Sequence, residues 1–193
     1  MSHEKTARPP RVLIPLAPGF EELEAIAPLD YLRRAGAHVV TASVGGKNPI
    51  KSRGNARLMA DIDLDEALAE WGDDWDAVVL PGGPGVAVLA ECAPLMALVG
   101  RRLAAAKLVG AICAAPALLP PAGLAKTTRV TSWPGKQEEL SQLAVYVEAP
   151  VVVDGAVITS RGPGTSVAFA LSLVAALFGQ DAADALAAET QAG

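Results

Sequence analysis

Residues 107–116, Lys107-Leu108-Val109-Gly110-Ala111-Ile112-Cys113-Ala114-Ala115-Pro116, carry an apolar run that stops abruptly at a cysteine. Lys107 to Ile112 predicts a buried strand, and the small residues Ala114, Ala115 and Ala117 predict the opening of a helix. A thiol on such a strand-to-helix bend would have helix N-terminal amides aimed at its sulfur, which favours the thiolate and makes a nucleophile. The competing structural reading is a small core hydrophobe, because unpaired cysteine is among the most buried residue types.

Strand and helix patterns alternate on both sides of that bend, as in a parallel sheet with crossover helices. Upstream, Arg11–Ala17 predicts a strand, Glu21–Ala35 a helix closed by Gly36, and Ala37–Val44 a second strand. A GGKNP turn follows, then a short strand near Arg57–Ile62, a helix near Asp65–Trp71, and a buried strand Asp76–Leu80 running into Pro81-Gly82-Gly83-Pro84-Gly85. A helix near Pro94–Ala106 leads to the cysteine strand. Downstream, Arg129–Trp133 predicts another strand and Val151–Ser160 a hairpin turning at Asp154-Gly155 with a type I′ signal. Arg161–Ser166 is a loop, Val167–Phe178 an apolar helix ended by Gly179, and Asp181–Thr190 a last helix. The expected architecture is a three-layer α/β sandwich with its active site at the carboxyl ends of the strands. That rule selects the loops Ala17–Phe20, Pro81–Gly85, the Cys113 bend, Trp133 onward and Arg161–Thr165.

No repeat or shift in composition divides the 193 residues, so residues 11–193 are expected to form one domain behind a short flexible leader, residues 1–10. That leader has mixed charge and prolines with no apolar run after it, and so does not read as a signal peptide. A 51% hydrophobic content fits a packed core, and a net charge of −5 without a basic stripe argues against nucleic acid as a partner. The uncharged run Leu108–Ala125 approaches the length of a membrane span but is broken by Gly110, Pro116, Pro120, Pro121 and Gly123. Only Cys92 and Cys113 occur, without metal-ligand spacing, so neither a disulfide framework nor a zinc site is expected, and a reducing, cytoplasmic setting is.

A thiol nucleophile needs a group to take or hold its proton and donors to stabilise an oxyanion. The only histidines are His3, in the leader, and His38, at the amino end of a strand, so a Cys-His-acid triad is nearly excluded by inventory. Carboxylates remain: Glu21, Glu22 and Glu24 open the first helix. For Glu21 and Glu22 the favourable interaction with the helix dipole suffices. Glu24 has no basic neighbour at helical spacing, and a carboxyl on an apolar stripe would have a raised pKa and could donate a hydrogen bond to a thiolate. Spacing alone does not decide among the three. Gly82 and Gly83 offer side-chain-free amides at a strand end, although a glycine turn is common there. Thr165 or Ser166 is expected to cap the helix that follows. Cys92, in AECAP with no strand before it, reads as an inert thiol.

Taken together, VLIPLAPGFEELEAIAPLDYLRRAG (12–36), VVLPGGPG (78–85), GAICAAP (110–116) and TSRGPGTS (159–166) resemble the DJ-1/ThiJ/PfpI superfamily, most closely its DJ-1 and ThiJ branch. The resemblance implies a flavodoxin-like sandwich, a homodimer, and a reactive cysteine at a nucleophile elbow. It places the cysteine on Cys113, the partner carboxylate on Glu24 and the oxyanion backbone on Gly82 and Gly83, with the amide of Ala114 and the side chain of Trp133 also lining the substrate site. Where several relatives have histidine after the elbow helix, this chain has Trp133, which can donate a hydrogen bond but cannot shuttle a proton. The implied activity is a glutathione-independent glyoxalase or deglycase acting on methylglyoxal or glyoxal, or on their early protein and nucleotide adducts, with no metal or cofactor. The alternative is a non-catalytic redox sensor or redox-regulated chaperone working through oxidation of Cys113. A PfpI-type protease is disfavoured because Ala114, not histidine, follows the cysteine.

Overall fold

In the computed structural model, which describes residues 8–192, the elements follow the chain in this order. They are β1 (Arg11–Leu16), α1 (Glu22–Arg34), β2 (His38–Ser43), β3 (Ile50–Lys51), β4 (Arg57–Leu58), β5 (Ile62–Asp63), α2 (Leu64–Trp71), β6 (Ala77–Leu80), α3 (Val86–Glu91) and α4 (Ala93–Ala104). Then come β7 (Leu108–Ile112), β8 (Arg129–Val130), α5 (Gln137–Ser141), β9 (Val145–Tyr146), β10 (Val151–Asp154), β11 (Val157–Ser160), α6 (Ser166–Phe178) and α7 (Gln180–Thr190). Seven strands form the central sheet in the order β10-β11-β7-β6-β1-β2-β5, parallel throughout except for β10 against β11. The mixed α/β architecture with a mostly parallel sheet is the one the alternating pattern predicts.

Period-two alternation divides the apolar residues between two cores. Val12, Ile14 and Leu16 of β1 face one side, where α1, α6 and α7 supply Ala25, Leu32, Phe169, Leu173 and Leu186. Leu13 faces the other, with Leu89, Leu95, Leu98 and Val99 from α3 and α4. Gly110 lets the first layer sit close: a Cβ there would lie 2.9 Å from Leu173 and 3.0 Å from Phe169, so α6 packs directly on the β7 backbone. Burying a side chain such as Phe169 contributes about 1.5–3 kcal/mol.

Several expectations need correcting. Proline-rich chain beyond Cys113 forms only a 3-10 turn, Ala115–Leu118, and not an α-helix. The strand expected over Arg57–Ile62 splits into β4, which pairs with β3, and β5, which joins the main sheet. The strand expected over Arg129–Trp133 is only two residues long and lies outside the main sheet, because Trp133 already leads into a second 3-10 turn at Pro134. The helix α3 was not foreseen. The hairpin turns at Gly155-Ala156, and only Gly155 has positive φ, which excludes a type I′ turn. Most of the expected leader, residues 1–7, lies outside the described residues. Arg8, near its end, pairs with Asp74 and Asp76. Among the described residues, no helix is long and apolar enough to cross a membrane.

Candidate active site

Cys113 is the first residue past β7, and its φ is +66°. A non-glycine residue in this left-handed region is strained by about 1–3 kcal/mol. The surrounding backbone holds it there: the Cys113 N–H donates to Ser160 O at 2.9 Å, and the Trp133 N–H donates to Cys113 O at 2.8 Å. The side chain is partly exposed.

Glu24 reaches the same point from α1, with no exposed surface. Its placement follows from the way this helix starts. Glu21 is the N-cap, and its carboxylate accepts the Glu24 N–H at 2.9 Å. Glu22 turns aside to accept from Ser52 Oγ and, at 2.8 Å, from the Gly54 N–H, and the Ser52 bond holds its carboxyl below the ordinary value. The two neighbours are thus structural, and Glu24 alone points inward. Its Oε2 accepts the Gly82 N–H at 2.9 Å. Its Oε1 is buried with no hydrogen-bond partner of ordinary geometry.

Gly82 lies between the acid and the thiol. A Cβ on it would fall 2.5 Å from Glu24 Oε2 and 2.6 Å from Cys113 Cβ, so no larger residue fits. Its amide is committed to Glu24 and does not serve as an oxyanion donor, which corrects that expectation. The amides of Gly83 and Ala114 are the pair directed at the sulfur. Trp133 is present at the rim, 51% exposed. Gly162, which the sequence reading did not single out, completes the wall: a Cβ there would lie 3.5 Å from the Trp133 ring and 3.9 Å from Glu24 Oε1. The only signal for it was its place in a strand-terminal glycine loop. Thr165 organises that loop and does not cap α6: its hydroxyl contacts Ser160 Oγ and the Gly162 N–H and C=O. Ser166 Oγ has no hydrogen-bond partner among the described residues.

Burial governs the electrostatics. Removal from water pushes the Glu24 carboxyl up from 4.5 to about 7, against the lowering effects of the thiol and the Gly82 amide. Burial also pushes the Cys113 thiol up to about 12, helped by the adjacent Glu24, while the amides of Gly83 and Ala114 pull it down without prevailing. Burial thus works against the thiolate that a helix N-terminus would favour, and it raises the acid beside it. The two groups touch, so the acid is placed to exchange a proton with the thiol. Such a pair suits proton transfer coupled to sulfur attack. Cys92 lies between α3 and α4, away from this constellation, and among the described residues no group of three or more His, Cys, Asp or Glu is placed to hold a metal ion.

The sequence profile of the DJ-1/PfpI family matches residues 10–176. Protein DJ-1 homolog B of Arabidopsis thaliana is 41% identical over 89% of this chain, although the match spans only 39% of that protein. The glutathione-independent glyoxalase DJR-1.2 of Caenorhabditis elegans is 34% identical, with 86% of this chain and 87% of that protein covered. The crystal structure of Drosophila melanogaster DJ-1beta superposes with a TM-score of 0.90 at 35% identity, over 96% of this chain and 99% of that one. The sheet order, the bend at Cys113 and these matches over almost the whole chain agree, and the chain belongs to the DJ-1/PfpI family.

Proposed function

We propose that this chain is a cysteine-dependent, glutathione-independent glyoxalase or deglycase that converts methylglyoxal, glyoxal or their early adducts to 2-hydroxy acids. The observation that carries this reading is the contact of a fully buried Glu24 carboxyl with a partly exposed Cys113 held at φ +66°. The Cys113 sulfur adds to the aldehyde carbon while Glu24, as carboxylate, takes the thiol proton. The resulting alkoxide, held by the Gly83 and Ala114 amides, receives that proton and becomes a hemithioacetal. Glu24 next removes the proton on the former aldehyde carbon and returns it to the neighbouring carbon, while the hemithioacetal hydroxyl proton passes to the neighbouring oxygen, giving a 2-hydroxy thioester. Water cleaves the thioester and restores the thiol. Methylglyoxal plus water becomes lactate, with no net oxidation.

A carboxyl titrating near 7 is matched to giving and taking a proton at neutral pH, and the name of the nematode relative supports the same chemistry. The redox-sensor reading draws on the same Cys113–Glu24 pair, and the lactate assay separates the two. We assign a homodimer as the assembly, supported by Leu23 and Ile26, 57% and 39% exposed on the outer face of α1; a single-protomer mass in light scattering would overturn it.

The test is lactate formation from methylglyoxal by purified protein. The expected result is turnover that falls at least a hundredfold in Cys113→Ser and in Glu24→Gln. Absence of lactate, or equal lactate from Cys113→Ser, overturns the reading.

A further inference from the structure

Trp133 stands where its neighbours leave an aromatic face open. The indole runs between two glycines: a Cβ on Gly135 would lie 3.2 Å from Cδ1 and Nε1, and one on Gly162 would lie 3.5 Å from Cε3. Neither position carries a side chain to cover the ring, which is why a tryptophan beside the elbow remains 51% exposed. Its Nε1–H donates to no acceptor among the described residues, whereas Trp75 Nε1–H is paired with Gly72 O. The space left by the missing side chain of Gly162 borders both the indole and the unpartnered Oε1 of Glu24.

A substrate carbon between sulfur and Glu24 therefore carries its substituent past Gly162 and along the indole. The groups it meets there are the Gly162 backbone and the ring. Arg161, next to Gly162, is paired with Glu148 at 3.2 Å, and Lys136, three residues from Trp133, with Glu139 at 2.7 Å. The ring offers a flat substituent a stacking face and one hydrogen-bond donor at its edge.

Resting on the glyoxalase reading, we propose that Trp133 is the specificity-determining wall of the site, selecting 2-oxoaldehydes with a flat substituent over those with a methyl group or hydrogen. An aromatic pair beyond plain burial corresponds to about a tenfold preference. Initial rates with phenylglyoxal and methylglyoxal test it. The expected result is that the ratio of kcat/KM values, phenylglyoxal over methylglyoxal, falls about tenfold in Trp133→Ala, with KM for phenylglyoxal carrying the change, and is largely kept in Trp133→Phe. A ratio unchanged in Trp133→Ala, or lost equally in Trp133→Phe, overturns the proposal.

A second measurement keeps this separate from the catalytic reading. In Cys113→Ser protein, which need not turn over anything, saturation-transfer NMR is run with the unreactive 2-hydroxyacetophenone and with hydroxyacetone. The expected result is transfer to the phenyl protons that disappears in Cys113→Ser/Trp133→Ala, and little transfer to hydroxyacetone. Equal transfer with and without Trp133 overturns the wall even if the enzyme is active. Loss of transfer supports it even if no lactate forms.

Discussion

The two ends of the central sheet each bury an ionisable side chain, and they treat it in opposite ways. At the amino end Arg102, 2% exposed, donates to the carbonyls of Trp75, Asp76 and Leu108 at 2.6–3.1 Å, in four hydrogen bonds. Asp76 and Asp73 offset the effect of burial on its charge, and Arg8, Arg11, Asp74 and Asp76 form a further set of ion pairs and hydrogen bonds nearby. At the carboxyl end Glu24 has one oxygen held by Gly82 and the other unpartnered, beside a cysteine in a strained conformation. The Arg102 charge is met by carbonyls from three residues, whereas the Glu24 carboxyl is left beside a strained thiol, an arrangement the fold tolerates at a cost in stability.

The sharpest way to break this contrast is to exchange the roles experimentally. Arg102→Met should destabilise the protein by about 3–5 kcal/mol, since it strands three buried carbonyls, while activity per folded molecule is retained at low temperature. Denaturant unfolding combined with the lactate assay measures both. A loss below 1 kcal/mol would mean that the amino end is not the structural pole.

Glu24→Gln should act in the reverse sense, losing turnover while gaining stability at neutral and alkaline pH. Because the folded carboxyl titrates above its ordinary value, it binds more protons folded than unfolded between pH 4.5 and about 7. Its destabilising effect is therefore absent below pH 4.5, grows through that window and is complete above about 7, where it amounts to about 3 kcal/mol. The neutral amide removes that term. Unfolding curves at pH 5 and pH 8 should differ less in Glu24→Gln than in wild type, with the variant more stable at pH 8. Equal pH dependence in the two proteins would contradict the assignment.

The scaffold was legible wherever period and punctuation agreed. β1, α1, β6, β7, the β10-β11 hairpin and α6 each have a long apolar pattern bounded by glycine or by charged residues. Short elements were not: α3 is six residues, VAVLAE, without a cap, lying between Gly85 and Cys92, and β3 is two residues directly after the GGKNP turn. The elbow helix was overread because the alanines after Cys113 favour helix while Pro116, Pro120 and Pro121 stop it within one short turn. At the site, Cys113 was visible from its place at the end of a strand. The choice of Glu24 over Glu21 and Glu22 came from the family resemblance and not from spacing along α1; its physical reason lies in where Ser52, Gly54 and Gly82 sit in space. The direction of the Gly82 amide, which donates to Glu24, is likewise a property of tertiary packing.

All of this depends on a carboxyl that desolvation holds near neutrality beside a thiol. Carbon-13 NMR of glutamate carboxyls, with the Glu24 signal assigned by its loss in Glu24→Gln, reads that directly across pH 4–9. The expected midpoint is about 7, well above the other glutamates. A Glu24 midpoint below 5 would show an ordinary solvated acid and would contradict the proposed pairing with Cys113.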